Sequence, residues 1–320
     1  MTSSATPIVF SLPLRDRFRG ITRREGVLIV GPAGWGEFAP FLEYGDAEAR
    51  SWWAAAEEAA TLGWPAPVRE QVPVNCIVPA VTAERAAEIV RASGCRTAKV
   101  KVAEQGQGLA DDLARVAAVR EALGPEGRVR VDANGGWSAA EAVAAVRALD
   151  AEVGLEYVEQ PCQRVEDLAR VRRETDVLVA ADESIRKADD PYRVAELEAA
   201  DIAVLKVAPL GGVRACLTIA EQIGLPIVVS SAVDSSVGLA AGLALAAALP
   251  ELPYACGLGT QALLENDVVA DPLAPVDGLL SVRRPVPDLE RLRAVRADDE
   301  RTAWWLDRVA RVAPLAGRPA

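Results

Sequence analysis

Lys99 and Lys101 stand two residues apart in the run Thr97, Ala98, Lys99, Val100, Lys101, Val102. On a strand, side chains alternate, so both ammonium groups share one face while Ala98, Val100 and Val102 share the other. Two amines on one face can hold an anion or, if one is made neutral, accept a proton. Taken alone, such a pair more often marks an edge strand with solvated lysines, and its neighbours decide. The next three apolar runs each end in an acid: Asp132 after Arg130 and Val131, Glu159 after Tyr157 and Val158, Asp182 after Ala180 and Ala181. One such acid would be an ordinary strand-end cap. Three, each inward by parity, would repel one another unless a cation neutralised them. An all-oxygen set suits Mg²⁺, with Mn²⁺ as the alternative, water and substrate completing the coordination. Glu183 competes for the third place; Asp182 is preferred because it stays in phase with the buried alternation. Lys206 ends the otherwise apolar run Ile202, Ala203, Val204, Leu205. Burying an unpaired ammonium costs several kcal/mol, so a purely structural core lysine explains it poorly.

These residues need a scaffold that gathers strand ends. Between residues 73 and 260 the chain repeats one unit, a short apolar or β-branched run followed by an Ala-, Leu- and charge-rich stretch of helical spacing. The runs fall at 74–81, 97–102, 128–134, 154–160, 177–183, 202–208, 226–231 and 254–260, with helical stretches at 83–92, 109–123, 139–148 and 212–223. Eight units predict an α/β fold, a TIM-type (β/α) barrel. Lys206 then lies across the barrel from Lys99 and Lys101, with the acids between. Mutual repulsion and a nearby divalent ion would lower a lysine toward the neutral form that a base requires. The flanks do not fit the repeat. Strands at 8–14 and 26–30, a Gly-rich corner at 31–36 and a helix near 47–61 precede it; a Pro-rich stretch and a helical region at 288–312 follow. The expected division is 1–72 as the first part of an α+β cap, 73–264 as the barrel, and 265–320 packing back on the cap.

Composition narrows the partners. Half the residues are apolar and a quarter charged, which excludes a disordered chain. A net charge of −11 disfavours nucleic acid and anionic membranes, leaving a small-molecule carboxylate substrate as the expected partner; oligomeric state is not legible. With no basic and apolar leader and only a short Ala/Leu run at 238–250, the expected location is cytoplasmic. Five widely spaced cysteines without a CxxC pair indicate neither a disulfide framework nor a zinc site. The absence of histidine removes Ser-His-Asp triads, Cys-His dyads and every His base. Small polar groups end the last two runs: Ser230, Ser231, Gly257, Gly259 and Thr260 offer hydroxyls and unhindered N–H groups for an anion, or plain helix capping.

Lys-x-Lys, the Asp/Glu/Asp series and the sixth-strand Lys together resemble the muconate-lactonizing subgroup of the enolase superfamily. Within it, residues 13–17 (PLRDR), 34–40 (GWGEFAP) and 230–238 (SSAVDSSVG) are similar to the o-succinylbenzoate synthase family. The resemblance implies the superfamily's modified barrel and a Lys base acting with Mg²⁺. It also implies syn dehydration of 2-succinyl-6-hydroxy-2,4-cyclohexadiene-1-carboxylate to 2-succinylbenzoate in menaquinone biosynthesis. Lys101 would take the proton, Lys99 would orient and polarise, and Lys206 would stabilise the anion from the other face. Asp132, Glu159 and Asp182 would hold the metal, with Asn134 and Arg19, in the cap loop 14–22, among the substrate contacts. The alternative activities within the same superfamily are N-succinylamino acid racemase, which uses lysines on both walls, and dipeptide epimerase. The family's epimerases carry Asp-x-Asp at the eighth strand, where this chain has Gly257, Leu258, Gly259. A metal-binding barrel without catalysis is the non-enzyme reading, and Lys206 argues against it.

Overall fold

A computed structural model describes residues 6–187 and 190–315. Three antiparallel strands, β1 (Ile8–Phe18), β2 (Ile21–Gly31) and β3 (Gly34–Phe38), and helix α1 (Asp46–Thr61) form the cap. The repeat then unfolds in order: β4 (Gln71–Val78), α2 (Ala83–Ser93), β5 (Thr97–Lys101), α3 (Leu109–Leu123), β6 (Arg128–Asp132), α4 (Ala139–Val153), β7 (Leu155–Glu159), α5 (Val165–Glu174) and β8 (Val179–Ala181). Two short helices, α6 (Glu183–Arg186) and α7 (Arg193–Glu196), lead to β9 (Ile202–Lys206), α8 (Val213–Ile223), β10 (Ile227–Ser230), α9 (Ser236–Ala248) and β11 (Cys256–Gly259). Neighbouring strands are parallel throughout, and β11 pairs with β4 to close an eight-stranded ring. No helix among the described residues is long and apolar enough to cross a membrane.

Parity sorts the barrel as its alternation requires. Val100, Val131, Val158, Ala181 and Leu205 face outward into the core shared with the helices. Tyr157, Ala180, Ile202, Val204 and Val228 fill the axis. Tyr157 precedes Glu159 by two residues, Ala180 precedes Asp182, and Val204 precedes Lys206. One inward step along each strand therefore separates the apolar plug from the polar mouth.

The strands end sooner than the sequence suggests. The run at 128–134 stops at Asp132, that at 154–160 stops at Glu159 and that at 177–183 shrinks to Val179–Ala181, because Asn134 and Gln160 turn through positive φ (46° and 40°) and Asp182 leaves extended geometry. The Gly-rich stretch 31–36 is not a corner alone but contains β3. A Cβ on Gly36 would lie 2.0 Å from the Ala56 carbonyl oxygen, so glycine there lets α1 lie directly on the sheet. The C-terminal segment divides its contacts. β12 (Leu279–Ser281) pairs antiparallel with β4, after which the helical region breaks into α10 (Leu289–Ala294) and α11 (Asp299–Val312). From α11, Arg301 and Trp305 donate to Glu25, and Arg308 donates to the carbonyls of Phe41 and Tyr44.

Two cap carboxylates seat on barrel helices. Glu58 of α1 accepts from Val213 N (2.6 Å) and Arg214 N (3.2 Å) at the start of α8. Glu37 of β3 accepts from Ser235 N and Gly238 N (both 3.2 Å) and from Ser235 Oγ at the start of α9. Helix N-termini hold carboxyl oxygens through otherwise unpaired N–H groups, so the cap is anchored by hydrogen bonds as well as by apolar contact, with an Arg214 ion pair (2.7 Å) added at Glu58.

Two outcomes are expected. Gly36→Ala should cost ~1–3 kcal/mol, since the clash is with backbone that cannot swing aside; an unchanged thermal midpoint would contradict it. Burial and the Asp234 charge push Glu37 up to about 8 from 4.5. The fold therefore favours the protonated form: the stability this site contributes is full below pH 4.5 and is lost as pH rises toward 8. Glu37→Gln cannot ionise, so wild type should lose stability relative to the variant across that window. Melting curves that run parallel from pH 5 to 9 would rule this out.

Candidate active site

Lys101, Asp132 and Glu159 lie in one register row across β5, β6 and β7. Ser230 aligns with Lys206 on β10 and β9. The ring thus presents two lysines on one wall, a third on the wall four strands away, and the acids along the arc between them. All six side chains are buried. Lys99 Nζ donates to both Glu159 oxygens (2.7 and 2.8 Å) and lies 3.3 Å from Asp132 Oδ2. Lys101 Nζ donates to Asp132 Oδ2 at 2.6 Å and to Asn134 Oδ1. Lys206 Nζ donates to Asp182 Oδ2 at 2.6 Å, and Arg186 Nε takes the other oxygen at 2.8 Å.

The same burial acts differently on each group. Burial draws Lys101 below the ordinary lysine value, helped by the Lys99 charge and opposed by Asp132. Burial would lower Lys99 too, but Glu159 and Asp132 outweigh it and hold Lys99 high. Burial would raise Asp132 and Asp182; Lys101 and Lys99 hold the first low, Arg186 and Lys206 the second. Glu159 is pushed up to about 7 by burial and the Asp132 charge, against the pull of Lys99.

Residues that the sequence reading did not single out hold this arrangement. Gln160 is fully buried; its Oε1 accepts from Asp182 N (3.0 Å) and Ser184 N (3.1 Å), joining the ends of β7 and β8. Arg186 also donates to Glu183 (2.6 Å) and to the Tyr44 hydroxyl (3.0 Å), so a cap aromatic backs the acid pair. Its spacing of four from Asp182 on a helical turn was the available signal. Above the mouth, β1 and β2 meet in the two-residue turn Arg19–Gly20, both at positive φ as a type I′ hairpin requires. The turn brings the Phe18 ring within 5.3 Å of Lys101 Nζ and stacks the Arg19 guanidinium 4.5 Å from the Phe41 ring.

Beneath that hairpin is a cavity of about 30 Å³. Lys99, Lys101 and Lys206 all reach it, as do Asp132 and Asn134. Arg19, Ser230, Ser231 and Thr260 line it as well, the last two joined by a 2.6 Å hydrogen bond. Gly257 and Gly259, expected as substrate contacts, do not line it. A Cβ would meet Ser230 Oγ at 2.5 Å from Gly257 and the Asn75 carbonyl at 2.4 Å from Gly259, so these glycines serve strand packing.

A hard divalent cation suits the donors present. Asp132, Glu159 and Asp182 are buried on neighbouring strand ends and offer only oxygen, and burial, with the Asp132 and Asp182 charges, raises Glu159. Glu183 Oε2 is also buried with no hydrogen-bond partner among the described residues, which keeps Glu183 in contention as a ligand. The acids are drawn onto ammonium groups rather than onto each other, and among the described residues no three acidic side chains sit at ligand spacing.

Comparison with known proteins agrees with this geometry. Residues 9–60 match the enolase N-terminal domain-like family and residues 81–288 the enolase C-terminal domain-like family. The chain is 64% identical over 301 residues to an o-succinylbenzoate synthase of Thermobifida fusca, covering 94% of each chain. To one of Mycolicibacterium smegmatis it is 61% identical over 302 residues, covering 94% of this chain and 93% of that one. Among solved structures, muconate lactonizing enzyme from Pseudomonas fluorescens, complexed with muconolactone, superimposes with a TM-score of 0.79 at 25% identity. That alignment covers 92% of this chain and all of the other.

Proposed function

Since the chain belongs to the o-succinylbenzoate synthase family of the enolase superfamily, we propose that its barrel mouth dehydrates 2-succinyl-6-hydroxy-2,4-cyclohexadiene-1-carboxylate to 2-succinylbenzoate. The protein is a carbon–oxygen lyase acting on a small-molecule carboxylate, in the cytoplasm and in menaquinone biosynthesis. One observation carries the reading: lysines from opposite walls converge on one buried cavity that Asp132 also lines, with Glu159 and Asp182 hydrogen-bonded to two of those lysines.

The chain's own groups divide the work. Lys101, as the neutral amine, removes the proton alpha to the carboxylate. The ring then expels hydroxide, and the Lys101 ammonium returns the proton to it as water. One amine serving both steps makes the elimination syn, and the aromatic product makes the second step downhill. Lys99, with both Glu159 oxygens on its ammonium, is a fixed positive charge that orients the substrate. Lys206, held by Asp182 on the far wall, remains a cation and stabilises the ring's developing charge across its π face. Ser231 and Thr260 offer hydroxyls to the remaining polar atoms, and Phe18 limits water at Lys101. A divalent cation, Mg²⁺ or Mn²⁺, held by Asp132, Glu159 and Asp182 would bind the substrate carboxylate and lower the cost of the charge that develops when the proton leaves.

Purified protein given the diene and Mg²⁺ should produce aromatic absorbance, lose turnover on exhaustive chelation and regain it with Mg²⁺ or Mn²⁺. Full turnover without metal would refute the metal's role. Calorimetric titration with Mg²⁺ should show Asp182→Asn weakening affinity more than Glu183→Gln, and the reverse ranking would assign the third ligand to Glu183. Lys101→Ala should lower turnover by roughly 10²–10⁴-fold. Lys206→Arg keeps the charge but supplies no base. It should retain detectable dehydration and abolish any racemisation of N-succinylamino acids. Racemisation at the wild-type rate in a folded Lys206→Arg protein would refute the role given to Lys206.

A further inference from the structure

Val233 adopts φ +62°. A β-branched residue in the left-handed region is strained, and such strain persists only where surroundings enforce it. Val233 is also 2% exposed and lines the catalytic cavity with Ser230, Ser231 and Ala232. What enforces it comes from the cap. Arg24 of β2, 2% exposed, donates from Nε to the carbonyls of both Ala232 and Val233 at 3.2 Å, and from Nη2 to the Ala39 carbonyl. Asp234, whose carboxylate lies 4.0 Å from the Arg24 guanidinium, turns back to accept from Ala232 N at 3.1 Å. The guanidinium stacks 4.5 Å from the centre of the Phe41 ring, the ring that also carries Arg19 of the hairpin tip. One buried arginine therefore touches the cavity wall at 232–233 and an aromatic of the cavity roof.

We propose that Arg24 is a positioning residue: its planar fork holds Val233 in the left-handed conformation and so fixes the 230–233 wall against which the substrate rests. Among the described residues Arg24 makes no hydrogen bond or ion pair to Lys99, Lys101, Lys206, Asp132, Glu159 or Asp182, so its effect on turnover passes through that wall. The inference rests on the synthase reading for its kinetic test and stands apart from it in a ligand-free one.

Lysine keeps the positive charge beside Asp234 but lacks the planar fork that reaches the Ala232 and Val233 carbonyls from Nε and the Ala39 carbonyl from Nη2 at once. Arg24→Lys should raise KM about tenfold with kcat little changed, a loss near the cost of one well-placed contact. Glycine adopts positive φ freely. In a background already carrying Val233→Gly, whatever that change costs by itself, Arg24→Lys should then alter KM by less than about threefold. An equal rise in both backgrounds, no rise at all, or a fall in kcat at constant KM would overturn the proposal. Should Arg24→Lys fail to fold, a double variant that folds supports the coupling, and a double variant that also fails to fold overturns it. Amide exchange across 231–235 needs no ligand and should quicken in folded Arg24→Lys; unchanged protection there overturns the inference even if wild type makes 2-succinylbenzoate. Wild type that makes none, with exchange quickened in the variant, overturns the functional reading alone.

Discussion

Three ammonium groups and three carboxylates buried in one barrel mouth are the constraint on which the other features depend. None of the six could be buried alone, since an unpaired charge in a low-dielectric interior costs several kcal/mol. Each lysine lies within hydrogen-bond distance of an acid. The balance explains why Lys206 is tolerated in an apolar strand and why Arg186 is recruited to the second oxygen of Asp182. It also leaves the site poised: the acids that neutralise the lysines are the oxygens a divalent ion would use, so loading such an ion would shift counter-charge away from the lysines.

The cap solves a second electrostatic problem. Helix N-termini at the C-terminal face of a barrel leave N–H groups without partners, and on α8 and α9 this chain satisfies them with its own Glu58 and Glu37. The seam is thereby fixed in register as well as in contact, because each carboxylate must meet particular N–H groups. That register is what carries Phe18 to Lys101 and Arg24 to the 232–233 wall.

Much of this was legible from residue order. Period-two alternation put Lys99 and Lys101 on one face because a strand allows no other reading, and a charged residue ending an apolar run identified Asp132, Glu159 and Lys206. The rest was hidden for physical reasons. Gly36 looked like turn chemistry, because close approach of a helix backbone leaves the same residue in the sequence as a bend. Gly257 and Gly259, read as offering unhindered N–H groups, also stand where a Cβ would meet a neighbouring strand, which no pattern in the sequence reveals. Gln160 and Arg186 act through partners on other strands or on the cap, and Glu37 and Glu58 through helices about 150 to 200 residues away. Such pairings leave no local signature.

Backbone strain ties these levels together. Ala103, Asn134, Gln160 and Val233, none of them glycine, follow the ends of β5, β6, β7 and β10 at positive φ. A strand that simply continued would carry its next side chains up and away from the axis. Reversing φ at the strand end instead turns the chain sharply, so that Asn134 bends back to Lys101 and Gln160 reaches across to the amides of Asp182 and Ser184. The turns at Asn134, Gln160 and Val233 are each held by a hydrogen bond or packing contact that also touches the site. The backbone strain of making the mouth is thus placed on residues whose partners are the catalytic groups or their immediate supports, Asn134 on Lys101 and Gln160 on the amides of Asp182 and Ser184.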